Sequence, residues 1–539
     1  MRHVELLDCT LRDGAYLVDK KFGNMTIKGI ISGLVAAKIN IIEIGFLQNT
    51  GLVDGGTVYK NTEETLKYIP DNKGESKIAV LADYSRYDIE NLDVYDGKSV
   101  DIVRECFFKS ERHDALNVCY KIKEKGYKVF VQPVDILGYS DAELLELIDE
   151  INELEPYGMS IVDTFGSMYQ EDLHRIFEII NHNLIVSCKI GFHSHNNMQL
   201  SNALSQEFVR ISTGKREVVI DGTVSGMGRG AGNTPTELIA QYLVSQLGYT
   251  YDMNQLLDLI DVYMDNIRSK CSWGYSTSYF IAGCYGAHVN NIDFLSKKNS
   301  IRHKDMRLIL NKLGSDIRKR YDYSLLENIY MEVMQADIED KDVLEALSRE
   351  MADKPILMLV PGKTLEIEKK KIKQYISEKH PIVISVNFFD EQFESEYIYM
   401  NNVKRYQYWS NNEKFSKMKK IVTSNIVQNI SLNNVKIVSF TKFVKCGWEL
   451  LDNSALMLLR LLDSIDVGEI AIAGFDGFSN SGNDNYFDTD LEVLQTSEKA
   501  VKINREIEAM LLDYLETRKH KETIVKFLTI SRFEKVLQH

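Results

Sequence analysis

Eight short runs of β-branched and other apolar residues recur through the first 250 residues, at 3–9, 41–47, 77–83, 102–108, 128–134, 160–165, 189–193 and 217–222. Several are apolar nearly throughout, as in IIEIGFL, KIAVLAD and KVFVQPV. A strand with one wet face alternates in polarity. A strand covered on both faces does not, and strands of parallel sheets packed under helices read this way. Between the runs lie helix-length stretches with apolar residues spaced by three and four, among them DAELLELIDEINELEPYG and YQEDLHRIFEIINHN. Eight βα units in this length predict an α/β fold, a (β/α)8 TIM barrel over 1–250, in preference to an open doubly wound sheet.

The rest of the chain is organised differently. Residues 251–353 predict a helical extension, with acidic stretches such as DIEDKDVLEAL and no obvious strand. A boundary follows near Asp353-Lys354-Pro355. Over 354–539 strand-like runs return at 356–360, 381–388, 397–401, 420–425, 435–440 and 469–475, several of them separated by helical segments. This predicts a second α/β domain, Rossmann-like, with a mostly parallel open sheet.

Composition excludes several classes of function. With 64 Lys and Arg against 78 Asp and Glu, the formal net charge is −14, which argues against nucleic acid or an anionic membrane as partner. The seven cysteines show no C-x-x-C pair or finger spacing, so neither a disulfide framework nor a structural zinc site is expected. MRHVELLDCT lacks the three regions of a signal peptide, and no apolar run approaches the roughly 20 residues of a membrane span. The expected location is the cytoplasm.

Barrel enzymes place their chemistry at the carboxyl ends of the strands. There the chain reads DCTLRDG at 8–14, GFHSHNN at 191–197 and SGMGRGAGNTPTE at 225–237. His193 and His195 flank one residue at the end of the seventh run, so the period of two turns both imidazoles to the same side. Asp13 follows the first run, and in a closed barrel only the eighth strand separates it from them. Two nitrogens and one carboxylate suit a divalent ion with open positions for substrate. Alone, an H-x-H pair is also compatible with an incidental structural role. The glycine-rich stretch reads either as a helix-capping βα loop or as a backbone cradle for an anionic substrate.

Four motifs occur in order: DCTLRDG, IEIGF, GFHSHNN and GMGRGAGNTP. Together they resemble the DRE-TIM metallolyase superfamily. The GMGRGAGN loop and SWGYSTSY, at 272–279, are most similar to the 4-hydroxy-2-oxovalerate type of aldolase. The resemblance covers roughly residues 1–290 and implies a metal-dependent carbon–carbon lyase. It implies that Asp13, His193 and His195 hold a divalent metal, Mn2+ first, with Mg2+, Co2+ or Zn2+ as alternatives. It further implies that a 4-hydroxy-2-oxoacid is cleaved or formed through a pyruvate-type enolate stabilised by Arg12. Asn233 is implied near the metal, Tyr275 facing substrate, and Glu43 and Asp8 in a supporting layer. Tyr16 stands where the aldolases carry a histidine that serves as base. A tyrosine with its ordinary pKa near about 10 is a weak base at neutral pH.

The implied partners are a small 2-oxoacid and an aldehyde, with a homo-oligomeric assembly. The alternatives are an acyl-CoA Claisen-type lyase or synthase of the same superfamily, and a non-catalytic binding protein of a carbohydrate pathway. In the second domain, VPGKTLEIEKK places Gly362 in a strand–helix turn without the spacing of a Walker loop. IAGFDGFSNSGNDN ends another strand with Asp476 at its edge. The layout faintly resembles Rossmann-like domains of surface-polysaccharide biosynthesis, so a nucleotide-sugar is the expected ligand of this half.

Overall fold

The computed structural model describes residues 3–212, 216–298, 300–335, 338–352, 354–426, 434–450, 453–481, 484–492 and 496–538. Asp353, at the expected boundary, lies outside them. The chain packs as two compact units, 1–289 and 290–539. Among the described residues no helix is long and apolar enough to cross a membrane.

The first unit is the closed barrel. Its strands are β1 (Val4–Asp8), β2 (Ile41–Leu47), a two-residue edge strand β3 (Val58–Tyr59), β4 (Lys77–Asp83), β5 (Ile102–Phe107), β6 (Lys128–Pro133), β7 (Gly158–Asp163), β8 (Lys189–Ser194) and β9 (Val218–Gly222). All pairs are parallel, and β1 closes the cylinder by pairing with both β2 and β9. The expected barrel is therefore present, with β3 added outside the ring on β2.

Strand alternation explains how one sequence supplies two cores and a reactive mouth. Outward residues such as Leu6, Ile42, Val80, Val103, Val129, Ile161 and Ile220 form the large apolar layer under the helices. Inward residues Leu7, Ile41, Ala79, Ile102, Phe130 and Val219 form a small plug inside the barrel. Two residues further along the same strands, the inward positions become Glu43, Arg104, Gln132 and Asp221. The switch from aliphatic to charged inside one strand marks the end that faces chemistry.

β2 carries a register shift between Glu43 and Phe46. Gly45 lies in it at φ 150°, and a Cβ there would fall 2.1 Å from the Thr57 carbonyl oxygen. This bulge lets Phe46 N–H donate to Thr57 O at 2.9 Å immediately after Glu43.

The second unit is an open sheet of β10 (Ile356–Leu359), β11 (Ile382–Val386), β12 (Tyr397–Met400), β13 (Lys419–Thr423), β14 (Val435–Val438), β15 (Glu469–Ala473) and β16 (Ile524–Phe527). All neighbours are parallel in the order β14-β13-β12-β11-β10-β15-β16. Six of these strands match the expected runs; β16 is additional. The chain between the barrel and β10 is helical where it is described.

Gly45→Ala is expected to destabilise the first unit by about 2 kcal/mol or more, because a Cβ meets backbone that cannot move aside. Urea unfolding measures it, and wild-type stability would contradict the role given to the bulge.

Candidate metal centre

β1 ends at Asp8, and the chain then makes a single helical turn, Thr10–Asp13, over the barrel mouth. Asp8 fixes that turn. Its buried carboxylate accepts from Thr10 N at 2.9 Å and from the Thr236 hydroxyl at 2.6 Å, joining the loops after β1 and β9. Burial raises the Asp8 carboxyl to about 6, with both threonines pulling the other way. Asp8 supports the loop and takes no part in the reactive cluster.

The turn delivers Arg12 and Asp13 to the end of β8. Asp13 Oδ2 lies 3.2 Å from His195 Nε2 and 3.5 Å from His193 Nε2. Both rings have fixed tautomers. His195 Nδ1 lies 2.9 Å from the Asp163 carbonyl, which can only accept, and His193 Nδ1 lies 2.9 Å from the Asp221 carboxylate. Each Nδ1 is therefore a donor, so a ring unprotonated at Nε2 turns that atom's lone pair toward Asp13. Asp13 Oδ2 is buried and, among the described residues, accepts no well-formed hydrogen bond. A divalent cation replacing any Nε2 proton would be met by one electron pair from each of the three side chains. The donor set fits such an ion.

Electrostatics agree. Burial pushes the Asp13 carboxyl up, yet Arg12, His193 and His195 outweigh it and hold it well below the usual range. Burial opposes charge on His193, and Asp13 and Asp221 on either side overcome it, so its pKa rises. The site draws positive charge. A neighbouring set, Cys9, His193 and Asp221, is also within ligand distance. There Asp221 already bonds Arg104, and burial keeps Cys9 a thiol, so it does not compete.

Arg12 is held from two sides, Nε to Glu43 Oε2 at 2.7 Å and Nη1 to Asp13 Oδ1 at 3.0 Å. Among the described residues its Nη2 makes no hydrogen bond or ion pair. Arg104, 0% exposed, reaches Glu43 Oε2 at 3.1 Å with one nitrogen and Asp221 with the other. Asn233 pairs by its backbone with His195, gives Nδ2–H to the Met227 carbonyl at 3.2 Å, and keeps a buried Oδ1 that has no donor among the described residues.

The family model described as HMGL-like matches residues 3–263. A 4-hydroxy-2-oxovalerate aldolase of Thermomicrobium roseum is 30% identical over 305 residues, covering 52% of this chain and 81% of the relative. The chain belongs to the HMGL-like, or DRE-TIM, family. An aldolase of the same name from Carboxydothermus hydrogenoformans is 28% identical, covering 58% of this chain and 92% of that protein. The oxaloacetate decarboxylase of Mycobacterium tuberculosis is 27% identical, covering 54% and 84%.

Within this DRE-TIM barrel the sequence-derived residues fall in two groups. Arg12, Asp13, Glu43, His193, His195 and Asn233 converge. Tyr16 is beside them, half-buried, with the Arg229 guanidinium 3.8 Å above its ring and Phe46 against its edge. Burial raises its pKa, and Arg229 and Arg12 offset this only in part. Tyr275 is 64% exposed, in the segment that Trp273 fastens to the glycine-rich loop through Ser225 O at 2.8 Å, and it makes none of the contacts that join the others. Asp163, Asp221 and Arg229 stand at strand ends in the sequence without a definite role, and Arg104 lies inside a strand run with none. The usable signal was a charge inside an otherwise apolar strand, as in IVRECF, since such a group must be paired.

Asp221→Asn is expected to weaken divalent-metal binding about 10–100-fold by loosening the His193 tautomer. Calorimetric titration with Mn2+ checks this; unchanged affinity would contradict the assigned hydrogen bond.

Proposed function

We propose that the barrel is a divalent-metal-dependent aldolase that cleaves or forms a 4-hydroxy-2-oxoacid through a pyruvate-type enolate. The observation that carries the reading is the convergence of Asp13, His193 and His195 beside an arginine with a donor to spare. The relatives named as aldolases and the family's divalent-metal dependence support it. Mn2+ is the ion proposed first, and bound there it supplies Lewis-acid polarisation of the substrate's carbonyl oxygen.

The protein's own residues supply the rest. Arg12 is permanently charged, and its two carboxylate partners fix the guanidinium before substrate arrives, so Nη2 meets the developing enolate oxygen without reorganisation. In cleavage, the C4 hydroxyl loses its proton, the C3–C4 bond breaks and its electron pair passes to C3. In condensation the aldehyde oxygen takes a proton as that bond forms. Burial keeps Tyr16 a phenol, so it is proposed to give its proton to the aldehyde oxygen in condensation, and the phenolate so formed is the group that takes the C4 hydroxyl proton in cleavage. Tyr275 is proposed to meet the substrate from the segment anchored by Trp273. The second unit is proposed to bind the sugar-bearing partner, nucleotide-linked, in surface-sugar chemistry.

The Tyr16 environment favours one second reading. Decarboxylation of a 2-oxo-4-carboxylate forms the same enolate and needs no base on a C4 hydroxyl. A relative named as a decarboxylase fits that chemistry.

The test is exchange of pyruvate methyl protons in D2O, followed by NMR. Divalent-metal-dependent exchange is expected, abolished in Asp13→Asn and slowed about 10²–10³-fold in Arg12→Ala. No exchange with any divalent metal would sink both readings. Where exchange is present, release of CO2 from oxaloacetate without turnover of any added aldehyde would select the second.

A further inference from the structure

The second unit contains a cavity of about 560 Å3 that the barrel chemistry does not use. It lies at the carboxyl ends of β10, β11 and β15, where Pro361, Asn387 and Phe475 follow the strands. This is the point where the strand order turns back, β11-β10-β15. Connections leaving opposite ways from such a point open a crevice, and its volume here suits a mid-sized metabolite.

The charges in the lining decide what the crevice offers. Lys404 and Arg405 formally balance Asp476 and Glu492. Both acids are engaged by the protein itself. Asp476 accepts from Thr364 N at 2.8 Å and from the Thr364 hydroxyl. Glu492 accepts from Asn485 N at 2.9 Å, Asn485 Nδ2 at 2.6 Å and Tyr486 N at 3.2 Å. Arg405 differs: it gives one N–H to the Leu491 carbonyl and, among the described residues, pairs with no carboxylate. A guanidinium with donors left over is a forked anchor for a phosphate. Three residues along the same helix, Tyr408 lines the cavity with its ring 52% exposed and its hydroxyl held by Asp490 at 3.1 Å. Residues three apart share a helix face, so a flat ring and an anion can be engaged together.

We propose that this cavity binds a nucleoside phosphate, with the phosphate on Arg405 and the base against Tyr408. It rests on reading the second unit as the binder of a nucleotide-linked partner, and it names the site and the two contacts.

Calorimetric titration of the full chain tests it, with UDP, CMP and ADP, the matching nucleosides, a hexose 1-phosphate and inorganic phosphate as separate probes. At least one nucleotide is expected to bind in the micromolar range, about tenfold or more tighter than its nucleoside and than phosphate. Arg405→Ala and Tyr408→Ala are each expected to weaken that binding about tenfold or more with melting unchanged; the exposed Tyr408 makes its variant safe for folding. Nucleotides binding no tighter than phosphate, or full affinity retained in either variant, would overturn the proposal. Hexose phosphate binding without nucleotide binding overturns the nucleotide site and leaves a sugar-binding unit standing. Pyruvate exchange is read in the same preparation, so failure of the barrel reading shows separately.

Discussion

A guanidinium without solvent contact, that of Arg104, is ion-paired with Glu43 on one side and Asp221 on the other, and Arg12 and His193 are held through those two acids. Glu43 holds Arg12, Arg12 bonds Asp13, Asp221 holds His193, and His193 closes on Asp13. Acidic and basic side chains alternate around this ring, which spans β2, β5, β8 and β9 and the turn after β1. In a buried environment no member can be removed cheaply, because its neighbours would be left as unpaired charges costing about 3–5 kcal/mol. The ring therefore fixes Asp13 and His193, two of the proposed metal ligands, and Arg12, the proposed enolate-stabilising donor, in one network.

That arrangement explains why the fold and the function are inseparable at the mouth and nearly independent below it. The aliphatic plug of Leu7, Ile41, Ile102, Phe130 and Val219 needs only volume and shape. Two residues along, the same inward direction needs specific charges. Gly45 joins the two requirements, since the bulge it permits follows Glu43 directly.

Much of this was legible in the sequence. The eight barrel runs match the observed strands to within two residues at each end, because parallel strands under helices are apolar on both faces and leave a strong signal. Asp13, His193 and His195 were legible because strand ends and a period of two place them together. Arg104 was not, because its partners lie on β2 and β9, far away in sequence, and only closure of the barrel makes the pairing visible. β16 left no such signal: IVKF is a four-residue edge strand with no buried position. Tyr16 was legible as a substitution, but its raised pKa depends on packing among Phe46 and Arg229 that no local pattern carries.

Asp13, His193 and His195 are proposed to share one divalent ion. Anomalous difference density from crystals grown with Mn2+ tests it most directly. One strong peak is expected within about 2.0–2.3 Å of Asp13 Oδ2 and of both Nε2 atoms. In the same map the Nδ1 atoms keep their bonds to Asp221 and Asp163. A peak bound through Cys9 and Asp221, or none between these three side chains, would contradict it.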